Sequence, residues 1–304
     1  MIVISGQIFD PAGGAAEATA PSDREYAIAR ALADSEETFQ YAAMREFRFE
    51  LLMRDSIVSA AIQLNESPAA FASFANSRCN PRYWKLTENG GFMLKEGSKP
   101  AEAIRDIFDN GHMYAFECAT AVVIVLYKAV IDSLGDDVFD RLFADTYLHD
   151  WQYDKDLHLL AVDASDLIPG DIRYFKNPDV DPKKMHWQGE NAVYLGNQLF
   201  FGHGIGLAGA EKIISVLNRN RKPHAAQSAY LQKRAIRPDF RYLAQYRAAL
   251  PAPPFGRLRS AMPESVQQNK KSRIIAAIGS KTYCMSISGC AFRNSSKSAR
   301  ISSR

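Results

Sequence analysis

The 304-residue sequence has no long hydrophobic run. Its longest largely apolar stretch, residues 119–126, is too short to cross a bilayer and is followed closely by Lys128. The first residues carry no basic segment and no small-residue cleavage site, so they predict an opening strand rather than a signal peptide. We therefore expect an intracellular protein that does not bind membranes.

Cysteine is scarce, with four residues and no C-x-x-C pair. Cys79, Cys118, Cys284 and Cys290 are too scattered for a disulfide framework or a zinc site, so we expect free thiols.

Two patterns look like ligand sites but lack essential residues. Residues 204–209 match G-x-G-x-x-G, yet no acid follows about 20 residues later, as a dinucleotide site requires. Asp179, Asp181 and Glu190 have the spacing of a calcium loop, but lysines occupy positions that need a ligand and a glycine. We expect neither a cofactor nor a bound metal.

Acidic residues are almost missing from the C-terminal end. Residues 251–304 contain ten Lys or Arg and one acid, Glu264, whereas the rest of the chain has 27 basic and 33 acidic residues. The net positive charge of the chain therefore comes from this end, and it does not predict nucleic-acid binding. We predict a folded domain over 1–247 and a disordered, Ser-rich tail over 248–304. The alternative is a basic arm that docks on an acidic surface.

Helices dominate the first half of the chain and strands the second. Helical patterns cover residues 25–32, 42–64, 69–75, 100–108, 117–134, 136–144 and 211–218. Strand patterns cover a hairpin at 83–86 and 92–95, a single strand at 172–175, and a hairpin at 190–195 and 198–203. This order predicts an α+β fold in which helices pack on an antiparallel sheet.

Cys118 stands in the first turn of the most apolar predicted helix. Free backbone N–H groups and the helix dipole at such a position lower the pKa of a thiol and make the sulfur nucleophilic. The neighbouring Glu117 opposes this effect, because a nearby anion disfavours a thiolate. A buried structural cysteine is the alternative interpretation.

The second predicted hairpin supplies a partner for this cysteine. If Gly196 and Asn197 form its turn, Glu190 lies directly opposite His203 with Cβ atoms about 5 Å apart. A carboxylate beside an imidazole orients the ring and stabilises its protonated form, as a general base requires. The alternative is a cross-strand charge pair on a solvated face.

Several strings of the sequence resemble a known family, the Bacillus-type spore-coat transglutaminases, or protein-glutamine gamma-glutamyltransferases. The resemblance covers most of residues 1–235. It is carried by YAFECATA at 114–121, WQGEN at 187–191 and GHG at 202–204, with further matches at 1–7, 103–107, 150–151, 170–178 and 227–231.

The resemblance implies a compact papain-like fold that needs no calcium. It implies Cys118 as nucleophile, His203 as base, Glu190 as acid and Glu117 as a second acid that partly substitutes. Two further residues, Trp151 and Trp187, would line a substrate tunnel, with plain core packing as the alternative for each.

The expected reaction is protein cross-linking in spore coat assembly. The Cys118 thiolate attacks a protein glutamine, ammonia leaves, and a lysine ε-amine takes the acyl group to form an isopeptide bond. A papain-like peptidase or glutamine deamidase would use the same residues, and a coat-scaffold protein would use none of them.

Overall fold

The computed structural model describes residues 1–13, 23–248 and 255–259, which all belong to one unit that ends at Ala261. Apart from residues 248 and 255–259, the predicted tail lies outside these ranges, as do Cys284 and Cys290. The predicted domain boundary at 247 therefore stays a prediction. Cys79 and Cys118 are free thiols, as expected.

Seven α-helices are found in the described residues. They are α1 (Asp23–Asp34), α2 (Met44–Glu66), α3 (Pro100–Asp109), α4 (Cys118–Leu134), α5 (Asp136–Leu142), α6 (Ala210–Asn218) and α7 (Phe240–Ala244). None of the helices in this part of the chain is long and apolar enough to span a membrane.

Fifteen strands accompany these helices in the described ranges. They are β1 (Ile2–Ile4), β2 (Gln7–Asp10), β3 (Phe39–Tyr41), β4 (Ala70–Phe71), β5 (Trp84–Leu86), β6 (Phe92–Leu94), β7 (Ala115–Phe116), β8 (Tyr147–Leu148), β9 (Leu159–Asp163), β10 (Ile172–Lys176), β11 (Gly189–Gly196), β12 (Leu199–Gly202), β13 (Gly206–Gly209), β14 (Tyr230–Pro238) and β15 (Arg257–Arg259).

The largest sheet has six strands in the order β13-β12-β11-β10-β14-β9, and all of its pairings are antiparallel. Helix α4 is buried along almost its whole length and packs between α2 and strand β11. The α+β prediction, with helices packed on an antiparallel sheet, is confirmed. Smaller sheets join β15-β2-β1-β3, β5-β6-β8 and β4-β7.

Six of the seven predicted helices are present, with ends that differ by a few residues. The helix predicted at residues 69–75 is wrong, because Ala70–Phe71 forms strand β4 and Phe74–Asn76 a single 3₁₀ turn. Strand β4 pairs in parallel with β7, and the amides of Ala70 and Ala72 donate to the carbonyls of Tyr114 and Phe116. Pairing with a distant strand thus overrides the local helical pattern.

The hairpin of β11 and β12 is present, but its predicted register is wrong by one residue. Gly196 lies in an irregularity of β11, and the turn residues with left-handed φ are Asn197 and Gln198, at 50° and 60°. Ala192 consequently lies opposite Gly202. Continuing this register places Asn191, not Glu190, opposite the position of His203.

A buried ion network joins α2 to the six-stranded sheet. The Asp171 carboxylate, fully buried just before β10, accepts hydrogen bonds from Arg54 of α2 at 2.8 Å and from Arg237 of β14 at 2.7 Å. Arg54 also donates to Glu50 at 2.8 Å. Gly170 permits this approach: its φ is +86°, and an added Cβ would lie 3.2 Å from the Arg54 Cα.

We expect Asp171→Asn to lower the free energy of unfolding by about 3–5 kcal/mol, because two buried guanidinium groups would lose their shared carboxylate. Urea unfolding measures this change. Asp163→Asn is the matched control, since the Asp163 side chain is 90% exposed and its ion pair with Arg234 is long, at 3.7 Å. Equal stability of the two variants would contradict the role assigned to Asp171.

Candidate active site

Cys118 is the first residue of α4 and is buried, with 8% of its surface exposed. Glu117 caps the helix: its carboxylate accepts hydrogen bonds from the amides of Ala119 at 2.8 Å and Thr120 at 2.6 Å. The amide of Ala121 donates to the Glu117 carbonyl. The amides predicted to stabilise a thiolate therefore bind the Glu117 carboxylate instead.

The environment of Cys118 opposes ionisation of the thiol. Burial raises its pKa well above the usual value, and the charges of Glu190 and Glu117 raise it further. The position at the start of α4 predicted a lowered pKa. That prediction is wrong, because burial and the two carboxylates outweigh the effect of the helix terminus.

Glu190 reaches the site from β11 with a buried carboxyl group. Its Oε1 has no hydrogen-bond partner among the described residues, and a Cβ added to Gly202 would lie 2.9 Å from this atom. Burial, aided by the charge of Glu117, raises the pKa of Glu190 well above its usual value. The Glu190 carboxyl group therefore lies over Gly202 and within electrostatic reach of the Cys118 sulfur.

His203 is held by main-chain groups and aromatic rings. Its Nε2 lies 3.2 Å from the Ala70 carbonyl oxygen, and its ring stacks on Phe116 with centroids 4.6 Å apart. Burial lowers the pKa of His203 to about 4, although the carbonyls of Ala70 and Phe116 favour the protonated ring. No described contact joins the imidazole to Glu190, so the predicted cross-strand pair is not formed.

The two predicted substrate-binding tryptophans occupy different surroundings. Trp187 stacks on Phe71 with centroids 6.2 Å apart, and Phe71 lies at the same distance from the ring of His203. Trp151 packs against the main core, and the amide of the preceding Asp150 donates to the Thr120 hydroxyl at 3.0 Å. Both tryptophans are only partly buried.

One residue that contacts the Cys118 sulfur was not predicted from the sequence. The Asn191 side-chain amide donates to the Cys118 sulfur at 3.6 Å. Asn191 belongs to the WQGEN string, but a register wrong by one residue predicts the adjacent glutamate on this face instead.

A cavity of about 260 Å³ opens beside the imidazole of His203. Its walls include Asn65, Ser67, Phe71 and Gly204. Within the described ranges, no group of three or more His, Cys, Asp or Glu side chains is arranged to hold a metal ion.

Comparison with known proteins identifies relatives of this chain. The family described as protein-glutamine gamma-glutamyltransferase matches residues 1–247. Proteins of that name from Bacillus cereus (strain B4264) and Bacillus mycoides (strain KBAB4) are 45% and 44% identical over 215 residues, which make up 71% of this chain and 78% of each relative.

The fold is likewise similar to a solved structure. It is described as a transglutaminase from Geobacillus stearothermophilus without its C-terminal extension, and it is 48% identical in sequence. The match has a TM-score of 0.65 and covers 68% of this chain and 99% of the other. The expected papain-like fold is confirmed by this neighbour.

The low pKa of His203 predicts a pH-dependent stability. As the pH falls from about 6.5 to about 4, the His203 ring binds a proton in the unfolded chain but stays neutral in the folded one. The free energy of unfolding therefore falls by about 3 kcal/mol. Urea unfolding at several pH values should show this loss in the wild-type protein and not in His203→Gln. Parallel pH profiles for the two proteins would contradict the buried, neutral imidazole.

Proposed function

Because the chain belongs to the protein-glutamine gamma-glutamyltransferases, we propose that Cys118 is the nucleophile of a two-step acyl transfer from glutamine to lysine. One observation carries this proposal. Cys118 lies at the start of a buried helix, with the Asn191 amide on its sulfur and the charge of Glu190 within reach. No other described thiol has such partners: burial raises the pKa of Cys79 to about 11, opposed only by the charge of Lys95.

In the first step, the Cys118 sulfur attacks the γ-carboxamide carbon of a protein glutamine. The thiol proton passes to the Glu190 carboxylate and then to the departing nitrogen, so the C–N bond breaks, ammonia leaves and a thioester forms. This assigns to Glu190 a direct exchange with the sulfur, in place of the expected support of His203. The effect of the Glu190 charge on the pKa of Cys118 supports this exchange.

In the second step, a lysine ε-amine attacks the thioester. Glu190 accepts a proton from the amine and returns it to the departing sulfur as the C–S bond breaks, which gives the isopeptide bond and restores the thiol. His203 keeps a role as a neutral acceptor of hydrogen bonds at the mouth of the cavity beside it. Its low pKa supports a neutral ring, and its stacking on Phe116 supports a position near the nucleophile.

Glu117 has a supporting role in this proposal. Its two hydrogen bonds to main-chain amides hold the first turn of α4, and its charge makes both the thiol and Glu190 retain protons more strongly. Trp151 and Trp187 shield the thioester from water, so that an amine rather than hydroxide captures it.

The substrates proposed here are proteins with accessible glutamine and lysine side chains. The resemblance of the sequence to spore-coat enzymes supports coat proteins as these substrates and an intracellular, coat-associated location. Its relatives from Bacillus species are consistent with such a role.

The decisive experiment supplies a glutamine-bearing protein and a tagged primary amine, and measures both amine incorporation and ammonia release. Incorporation with equal ammonia supports acyl transfer, whereas ammonia alone supports a hydrolase such as a glutamine deamidase.

Cys118→Ala should lose essentially all incorporation, because it removes the atom that forms the thioester. Cys79→Ala is the control and should retain activity. Full activity of Cys118→Ala would refute the proposal.

We expect Glu190→Gln to lower kcat by about 100-fold or more, because the amide cannot accept the thiol proton. Glu117→Gln should have a smaller effect, since its remaining oxygen still accepts a hydrogen bond from the helix start. The exposed Glu88→Gln controls for a general charge effect and should be unchanged. Steady-state amine incorporation measures all three variants.

Two further variants decide between Glu190 and His203 as the proton acceptor. Gly202→Ala keeps the Glu190 carboxylate but displaces it, because the new Cβ would lie 2.9 Å from Oε1, so kcat should fall. His203→Gln should be less impaired than Glu190→Gln. A larger loss of kcat in His203→Gln than in Glu190→Gln would identify His203 as the base instead.

A further inference from the structure

In the proposed reaction the Cys118 sulfur becomes negatively charged, although its surroundings disfavour a thiolate. Burial and the charges of Glu190 and Glu117 all raise the pKa of its thiol. The amides of Ala119 and Thr120, which would normally offset this at a helix start, donate to the Glu117 carboxylate instead. The site therefore needs another hydrogen-bond donor that reaches the sulfur.

Asn191 lies in position to be that donor. Its side-chain Nδ2 is 3.6 Å from the Cys118 sulfur, within the range of hydrogen bonds to sulfur, and the residue is only 6% exposed. Hydrogen bonds from the backbone and side-chain N–H groups of Asn191 lower the pKa of the thiol. A donor buried against the sulfur competes with little water, which strengthens the bond.

The register of β11 fixes the direction of this side chain. Asn191 pairs with Tyr174 of β10, and the next residue on the same face, Val193, is fully buried in the core that contains α4. The Cβ atoms of Glu190 and Ala192 point to the opposite face, with Gly202, but Glu190 is the second residue of β11 and its carboxyl group stays within electrostatic reach of the Cys118 sulfur. Asn191 is thus directed at the start of α4 by the pairing of three strands rather than by a mobile loop.

We infer that Asn191 is a catalytic residue of the proposed reaction, whose carboxamide N–H binds the Cys118 sulfur and stabilises it as the thiol proton leaves. Asn191 transfers no proton itself: the proton goes to the base, and the carboxamide retains both of its own hydrogens. Since a carboxamide has no charge, it stabilises the thiolate without adding a buried cation. This inference rests on Cys118 being the nucleophile.

The test measures the reactivity of Cys118 with iodoacetamide as a function of pH, with mass spectrometry of the peptide that contains this residue. Asn191→Leu keeps a similar volume without a donor, and Asn191→Asp keeps the shape but replaces the donor with an acceptor. We expect alkylation near neutral pH to slow about 10- to 100-fold and its midpoint to rise by about one to two pH units, the range for a hydrogen bond to a charged group. The kcat of amine incorporation should fall by a similar factor, with little change in KM.

A matched control separates this role from the loss of any buried carboxamide. Asn80 is also buried, and its carboxamide donates to Asp106 at 2.7 Å, in a contact that does not involve the sulfur. Asn80→Leu should lower stability and leave the pH midpoint of alkylation unchanged. Asn191→Gln retains a donor on a longer side chain and should recover part of the lost reactivity.

The outcomes distinguish this inference from the proposed function. Wild-type alkylation profiles in both Asn191→Leu and Asn191→Asp would overturn the role of Asn191, whatever the activity of the enzyme. A wild-type protein that reacts with iodoacetamide but incorporates no amine would refute the proposed function instead. If neither variant folds, NMR of the folded wild-type protein decides: the Asn191 carboxamide protons shift downfield as Cys118 ionises, or the inference is wrong.

Discussion

Helix α4 is buried between α2 and the six-stranded sheet, and this burial brings Cys118 against strand β11. The same packing that positions the sulfur also removes it from water, which raises the pKa of the thiol. Of the groups around Cys118, the Glu117 and Glu190 carboxylates raise this pKa further and the Asn191 N–H groups lower it. Glu117 holds the helix start, Glu190 lies within electrostatic reach, and Asn191 donates to the sulfur.

The geometry of the site depends on contacts that lie outside it. The Asp171 carboxylate joins Arg54 of α2 to Arg237 of β14 and so fixes the helix layer against the sheet that carries Glu190 and Asn191. The short parallel pair of β4 and β7 positions the Ala70 carbonyl against the imidazole of His203. The burial of His203 and of the Cys118 thiol thus results from tertiary packing, because residues adjacent in the sequence do not determine either environment.

Local patterns in the sequence predicted much of this fold. The apolar run from Ala119 and the stop at Gly135 gave α4, and the Glu-Asn-Gly-Gly turn at 88–91 gave the first hairpin. Prediction failed where a distant partner decided the outcome. Residues 69–75 have a helical pattern, but the amides of Ala70 and Ala72 bond to the chain around β7 instead. Strands β9 and β14 were not predicted, because they pair with segments that are distant in the sequence. Strand β13 pairs with the neighbouring β12, but its sequence Gly-Leu-Ala-Gly lacks the β-branched and aromatic residues that favour strands.

The sequence by itself determined the chemical groups: a cysteine at a helix start, a carboxylate before it, and a Glu-Asn pair and a histidine on one hairpin. The tertiary structure decided which of these groups meet. Side chains alternate between the faces of a strand, so a shift of one residue in the β11–β12 register exchanges Glu190 for Asn191 on the face of His203. Whether Gly196 forms the turn or an irregularity before it depends on the sheet around β11, and that choice is not encoded in the turn residues alone.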